Sequence, residues 1–277
     1  RRSSDLFLAY AISKKYNIPY IVTEHSTAFA RSLISQSKKK RLLSVVSSAS
    51  KQLAVSQPFS ELLNSTFPNS NWIYLPNIVS DKFLLASEAK DKIDNIFTFI
   101  NICMLTEKKR VENLIKAFSL LSEKYNNIQL KIGGDGVCRN DLEELAIELN
   151  IDNKIIFLGA LTRDEVFIQI NQADAFVLSS EYETFGVVLI EALALGKPVV
   201  ATRCGGPESI VTDEVGVLVE KNSVPALCNG MEMIYTNREN LDANKIRSYC
   251  QKNFSEDAVT DKLLHIYQNI LRSKTYE

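Results

Sequence analysis

Two glutamates eight positions apart, Glu183 and Glu191, flank a strand-to-helix turn within the stretch from Ser180 to Pro198. The apolar run Ala175-Phe176-Val177-Leu178 reads as a buried strand and Val199-Val200-Ala201 as the next, with one helix between them. Glu183 then falls in the turn and Glu191 in the helix. Eight helical residues rise about 12 Å, comparable to the distance from the sugar to the ribose of an extended nucleotide-sugar. A helix N-terminus between them offers unpaired N–H groups to a diphosphate. The chemistry that suits this spacing is a grip on both ends of such a ligand. The alternative is an acidic helix start with a solvated glutamate further along.

Other residues bear on the same chemistry. A leaving diphosphate needs preorganised cations and N–H groups, and Lys108-Lys109-Arg110 is a candidate source, or else a solvated loop. His25 ends the apolar run Tyr20-Ile21-Val22-Thr23, where ligands meet parallel sheets, although many such histidines are structural. Gly133-Gly134-Asp135-Gly136 follows a strand and reads as a phosphate cradle or a tight turn. Lys38-Lys39-Lys40-Arg41 precedes Leu42-Leu43 and Val45-Val46, a basic helix that would touch anionic lipid or simply present a solvated face.

The elements that must position these residues alternate between short β-branched runs and helical stretches from Pro19 to Pro198, which predicts an α/β fold with parallel sheets. Strands are expected at Tyr20–Thr23, Leu53–Ser56, Trp72–Leu75, Phe97–Cys103, Ile128–Gly133, Lys154–Leu158, Ala175–Leu178 and Pro198–Ala201. Ser80–Asn95, rich in Asp, Lys and Ser, is the expected domain boundary. Val224–Tyr235, Asn240–Lys252 and Ala258–Leu271 read as terminal helices. A 277-residue chain with 45% hydrophobic residues can supply two cores. A net charge of −1 gives no support for a nucleic-acid partner, so phosphate binding must be local. Five scattered cysteines suggest neither a disulfide framework nor a zinc site, which makes reduced cytosol the expected setting. No apolar run approaches the length that spans a bilayer and no signal peptide opens the sequence, so no membrane crossing is expected.

Glu183-x7-Glu191 with Phe185-Gly186, followed by Gly196-Lys197-Pro198 and Gly205-Gly206, resembles the donor-binding segment of retaining glycosyltransferases of family 4. Those enzymes have the GT-B fold, two Rossmann-like domains facing a cleft. The resemblance extends in order to Leu130–Gly136, Ile156–Gly159, Leu75-Pro76-Asn77 as the family's domain-closing Pro-Asn, and Ile18–Ser26, which is similar to the strand ending in the active-site histidine. It implies an acceptor-side domain over residues 1–85, a donor-binding domain over residues 95–255, and a last helix over residues 256–277 packing back on the first domain. The first domain would be incomplete, because the family begins with further strands, helices and a glycine-rich loop. Truncation or a fragmentary gene would account for that, or the missing elements would come from elsewhere.

By the same resemblance, Glu183 contacts sugar hydroxyls, Glu191 accepts from ribose hydroxyls, and His25 touches the sugar or polarises the acceptor. The backbone N–H groups of Phe185, Gly186 and Val187 would face sugar and phosphate, with Gly134 and Gly206 in loops near the donor. The family places an Arg and a Lys after the first strand of the second domain. Lys109 matches the lysine, Met104 stands where the arginine is expected, and Arg110 stands where glycine is common. Methionine cannot pair with phosphate, so Arg110 or Lys108 would have to compensate, or donor affinity falls.

The resemblance therefore implies transfer of a hexosyl group, with retention and no protein nucleophile, from a UDP- or GDP-sugar to a glycan or lipid-linked acceptor. No cofactor or metal is required, and contact with the inner membrane face would be peripheral. Two other readings stand beside it: a donor-binding module or truncated inactive transferase, and a nucleotide-sugar epimerase of related fold.

Overall fold

A computed structural model describes residues 3–86 and 96–275. The first part comprises helix α1 (Ser3–Tyr16), strand β1 (Ile21–Glu24), α2 (Gln36–Ser47), β2 (Lys51–Ala54), α3 (Gln57–Thr66), β3 (Trp72–Tyr74) and the short α4 (Asp81–Leu84). Its three strands form a parallel sheet in the order β1-β2-β3. Residues 87–95 of the expected boundary lie outside the described residues.

The second part runs β4 (Phe97–Ile102), α5 (Val111–Lys124), β5 (Ile128–Gly133), α6 (Arg139–Glu148), β6 (Ile155–Gly159), α7 (Arg163–Gln172), β7 (Ala175–Leu178), α8 (Val187–Ala194), β8 (Val199–Thr202), β9 (Gly216–Val219), α9 (Val224–Thr236), α10 (Ala243–Phe254) and α11 (Glu256–Thr275). Six parallel strands pair in the order β6-β5-β4-β7-β8-β9. Counted from β4, that is 3-2-1-4-5-6, the doubly wound order whose topological switch point lies between its first and fourth strands, here β4 and β7. The sheet is covered on both faces, which is why its central strand β7 reads as a continuous apolar run and is buried throughout. Phe99, Ala175, Val177 and Val200 point to the face under α5 and α9, while Ile100, Phe176, Val199 and Ala201 point to the face under α7, α8 and α10.

β9 escapes the sequence reading. It is a four-residue edge strand that begins at Gly216, a residue that weakens a strand pattern. Its Gly216 packs so closely on β8 that an added Cβ would lie 2.1 Å from the Val199 carbonyl oxygen.

The two sheets are joined by a shared core and by direct bonds. Val79 N–H donates to the Phe254 carbonyl at 2.9 Å, and the Ser209 side chain accepts from Gln57 N–H at 2.8 Å. On α11, Val259, Leu263 and Ile266 pack against Ile21, Leu53, Ile73 and Leu75 of the first sheet. In α2 the apolar residues Leu42, Val45 and Val46 are buried, so the helix turns its basic residues outward and its apolar face to the core. No helix among the described residues is long and apolar enough to cross a membrane.

Candidate functional site

The carboxyl ends of the two sheets meet around a cavity of about 630 Å³. His25 reaches it from the end of β1 and Asn77 from beyond β3, while Lys109 follows β4 and Glu183 follows β7. The last two come from the two strands that flank the switch point, where the connecting loops diverge and leave a crevice. Gly186, Val187 and Val188 close the side formed by the second sheet.

The loops after β4 and β7 are tied together before any side chain is considered. Glu181 N–H donates to the Lys108 carbonyl at 2.8 Å, and the Ser179 hydroxyl donates to the Lys109 carbonyl at 2.8 Å. The Lys109 ammonium pairs with Glu183 Oε1, and the Ser180 hydroxyl donates to the same oxygen at 2.9 Å. The Glu183 backbone is fixed too: its N–H donates to the Cys204 carbonyl at 3.2 Å and its carbonyl accepts from Gly206 N–H at 2.8 Å. Both side chains remain partly open to the cavity, 18% exposed for Lys109 and 14% for Glu183.

Helix α8 starts at Val187 with Gly186 as its N-cap residue, and among the described residues no acceptor takes the N–H groups of Gly186, Val187 or Val188. These are orphan donors of a first helical turn, aimed at a cavity that also holds an ammonium. The helix supplies its share of positive potential there. Such a site suits a phosphate oxygen or another anion. Phe185 lines the cavity with its backbone side, while its ring is buried against Phe254, centroids 6.0 Å apart.

Because α8 begins four residues after Glu183, the assumption of eight helical residues between the two glutamates does not hold. Only the part from Val187 to Glu191 is helical, a rise of about 6 Å, and the rest is loop. Glu191 is not solvated either. Its helix is apolar all round and therefore buried, and the Glu191 side chain is 3% exposed. Arg163 meets it, Nη2 to Oε1 at 2.6 Å. Burial pushes the Glu191 carboxyl above its ordinary range, and Arg163 opposes that shift. Arg163 is the first residue of α7, whose start is fixed by a capping box between Thr162 and Glu165. Its guanidinium also lies over the Phe83 ring, 5.5 Å from the centroid.

Other expected residues stand off the cavity. Arg110 holds Glu181 through Nε and Nη2, at 2.9 and 2.6 Å, and Glu112 through Nη1 at 3.4 Å. These bonds raise the Arg110 pKa further. The backbone of Arg110 is left-handed, with φ of 49°, a conformation that favours glycine. Gly134 is where an added Cβ would lie 1.8 Å from the Cys103 carbonyl oxygen, and at Gly206 it would lie 2.2 Å from that of Phe185. Both glycines thus let one loop approach another, and neither lines the cavity. Met104 is 68% exposed and also lies off it. Two neighbouring thiols, Cys103 and Cys204, are each pushed up to about 12 by burial and stay protonated.

Thr184 and Asn77 line the cavity without having been singled out as site residues. Asn77 was signalled by the Pro-Asn pair. Thr184 carried no signal beyond standing next to Glu183. Among the described residues no group of three or more His, Cys, Asp or Glu side chains could hold a metal ion.

The profile of the family Glycosyl transferases group 1 matches residues 82–253. An uncharacterized glycosyltransferase of Methanocaldococcus jannaschii is 32% identical over 168 residues, which are 59% of this chain and 43% of that one. An uncharacterized glycosyltransferase of Haemophilus influenzae is 27% identical over 269 residues, 96% of this chain and 73% of that one. The crystal structure of the Anabaena protein HepE in complex with UDP superimposes with a TM-score of 0.84 at 18% identity, covering 97% of this chain and 77% of that one. The chain thus spans less than half of the Methanocaldococcus relative and about three quarters of the other two.

Proposed function

The chain belongs to the glycosyl transferases group 1 family, and we propose that it uses a nucleotide-sugar donor, a UDP- or GDP-sugar, to glycosylate a glycan or lipid-linked acceptor with retention of configuration. The observation that carries this reading is the convergence of Lys109, Glu183 and the open N–H groups of Gly186, Val187 and Val188 on one cavity that His25 closes from the other sheet. The UDP held by the Anabaena protein of similar fold supports the choice of donor class.

In this reading the donor diphosphate lies against the α8 N-terminus, and the Lys109 ammonium stabilises charge as the bond to the sugar breaks. Glu183, tethered by Ser180 and by its own backbone, exchanges part of its grip on Lys109 for the sugar hydroxyls. A carboxylate is suited to that because it only accepts hydrogen bonds. Glu191 accepts from the ribose, which requires Arg163 to share or release it. His25 orients the sugar or the incoming acceptor hydroxyl. No side chain is assigned as a covalent nucleophile.

Titration calorimetry with UDP and GDP tests the donor site. Binding of at least one, weakened on replacing Lys109, is expected; a folded sample that takes up neither would refute the reading. A second reading, a donor-binding module without turnover, is favoured by the exposed Met104, which leaves Lys109 without a second cation from that loop position. Release of free glucose from UDP-glucose, or its transfer to an acceptor, would eliminate that second reading.

A further inference from the structure

We propose that Thr184 is a positioning residue whose hydroxyl docks the strand end bearing His25 onto the Glu183 turn. The Thr184 hydroxyl donates to the His25 carbonyl at 2.9 Å, across 159 positions of sequence and between the two sheets. Thr184 is 9% exposed, so this is a shielded bond in which the hydroxyl is satisfied by the other half of the molecule. Unsatisfied, the buried hydroxyl would carry a desolvation penalty.

Both partners of the bond are themselves held by further hydrogen bonds. On the first sheet, His25 N–H and Ser26 N–H both donate to Glu24 Oε1, at 2.9 and 2.7 Å. The two peptide groups that flank His25 are therefore held by Glu24, and Thr184 adds the grip on the carbonyl between them. On the second sheet, Glu183 is pinned by Lys109, Ser180, Cys204 and Gly206, and Phe185 is anchored in the core. Thr184 sits between those two fixed residues. Its hydroxyl thus sets where the His25 backbone stands relative to Glu183, and both residues face the same cavity.

The inference rests on the proposed donor reading and adds a division of labour to it. Lys109 and the α8 N-terminus hold an anion through groups that do not depend on the Thr184 hydroxyl. The distance between His25 and the bound sugar does depend on it. Reaction rates respond steeply to such placement, since a shift of about 1 Å can cost about a hundredfold. Loss of the hydroxyl should therefore reach turnover and spare donor binding.

The experiment uses Thr184→Val, which keeps the branched shape without the hydroxyl, Thr184→Ala as a second deletion, and Thr184→Ser, which restores the donor. His25 and His265 are the only histidines, so imidazole carbon–proton NMR signals give one reporter at the site and one on α11 as an internal control. Val and Ala should move the His25 signal, leave that of His265, and lower kcat with UDP-glucose about tenfold, while UDP affinity stays within about twofold. Ser should return signal and rate toward wild type. An unmoved His25 signal overturns the proposal, as does a moved signal with unchanged kcat, or a loss of UDP affinity that parallels the loss of rate. A wild type that binds no nucleoside diphosphate refutes the donor reading instead, and the NMR arm still decides whether the bond positions His25. Should Val misfold and disturb both signals, Ala carries the same decision.

Discussion

Glu183 and Glu191 stand eight residues apart in one segment and each meets a single cation, yet the two pairs are built for different work. Glu183 sits in a loop at the switch point of the sheet, its partner Lys109 is mostly shielded, and both line an open cavity. Glu191 sits inside an apolar helix, nearly inaccessible, and its partner Arg163 has a side chain that is 64% exposed. In the first pair Ser180 and two backbone bonds hold the glutamate, so the carboxylate can give up part of its grip on Lys109 while its position holds. In the second the carboxylate is held by burial and the cation is the exposed member. A recurring residue type at fixed spacing therefore acquires two roles from two environments.

The strongest way to break this contrast is Glu183→Gln. The change keeps shape and removes the charge that pairs with Lys109, and turnover of UDP-glucose should fall about 100- to 1000-fold, measured in steady state with folding checked by circular dichroism. An active variant would move the catalytic weight elsewhere. Lys109→Met should come next. It removes the ammonium from the cavity and should weaken UDP binding about 10- to 100-fold in calorimetry, the range of a charge-assisted hydrogen bond. A full-affinity variant would leave the helix N-terminus as sufficient on its own.

Glu191→Gln sharpens the other side. Burial raises the Glu191 carboxyl above its ordinary range, so the folded state holds its proton more tightly than the unfolded chain does. The stability this contributes is complete below the ordinary glutamate pKa and is lost as pH rises through the raised value. Glutamine cannot ionise and should gain on the wild type as pH rises through that interval. Loss of the bridge to Arg163 acts against that gain, because the carboxylate end of the pair is buried. Urea midpoints of both proteins across pH 4 to 8, at about 1 unit spacing, give the result; a constant difference would show that Glu191 does not titrate differently in the two states. The smallest effect is expected from Met104→Arg, a gain of about threefold in UDP affinity at low salt, since an exposed cation near the loop adds weak and screened attraction. No gain would mean that Met104 does not face the phosphates.

Much of this was legible in the residues. Strands over Ile128–Gly133 and Ala175–Leu178 have the expected bounds; the second is apolar and buried along its whole length, while the first keeps Gln129 and Lys131 at half-buried positions. The Glu183 turn was legible because a strand, a glycine and an apolar helix follow each other there. The Arg163 partner of Glu191 was not, since nothing in Thr162-Arg163-Asp164 signals a contact 28 positions away. Nor was the placement of Arg110, which looked like a phosphate ligand but is bound by Glu181 and Glu112.

The amino-acid sequence by itself determined the α/β class, the alternation of strand and helix, and the local chemistry of the Glu183 turn, because periodicity, glycine placement and apolar runs act over a few residues. The tertiary structure alone decided which polar groups meet. Lys109 faces Glu183 because strand order places β4 beside β7, Glu191 is buried because α8 lies under the sheet, and Thr184 reaches His25 because the carboxyl ends of the two sheets converge. Those contacts join residues 28 to 159 positions apart, and such pairings depend on how the packed layers come together, which local sequence does not encode.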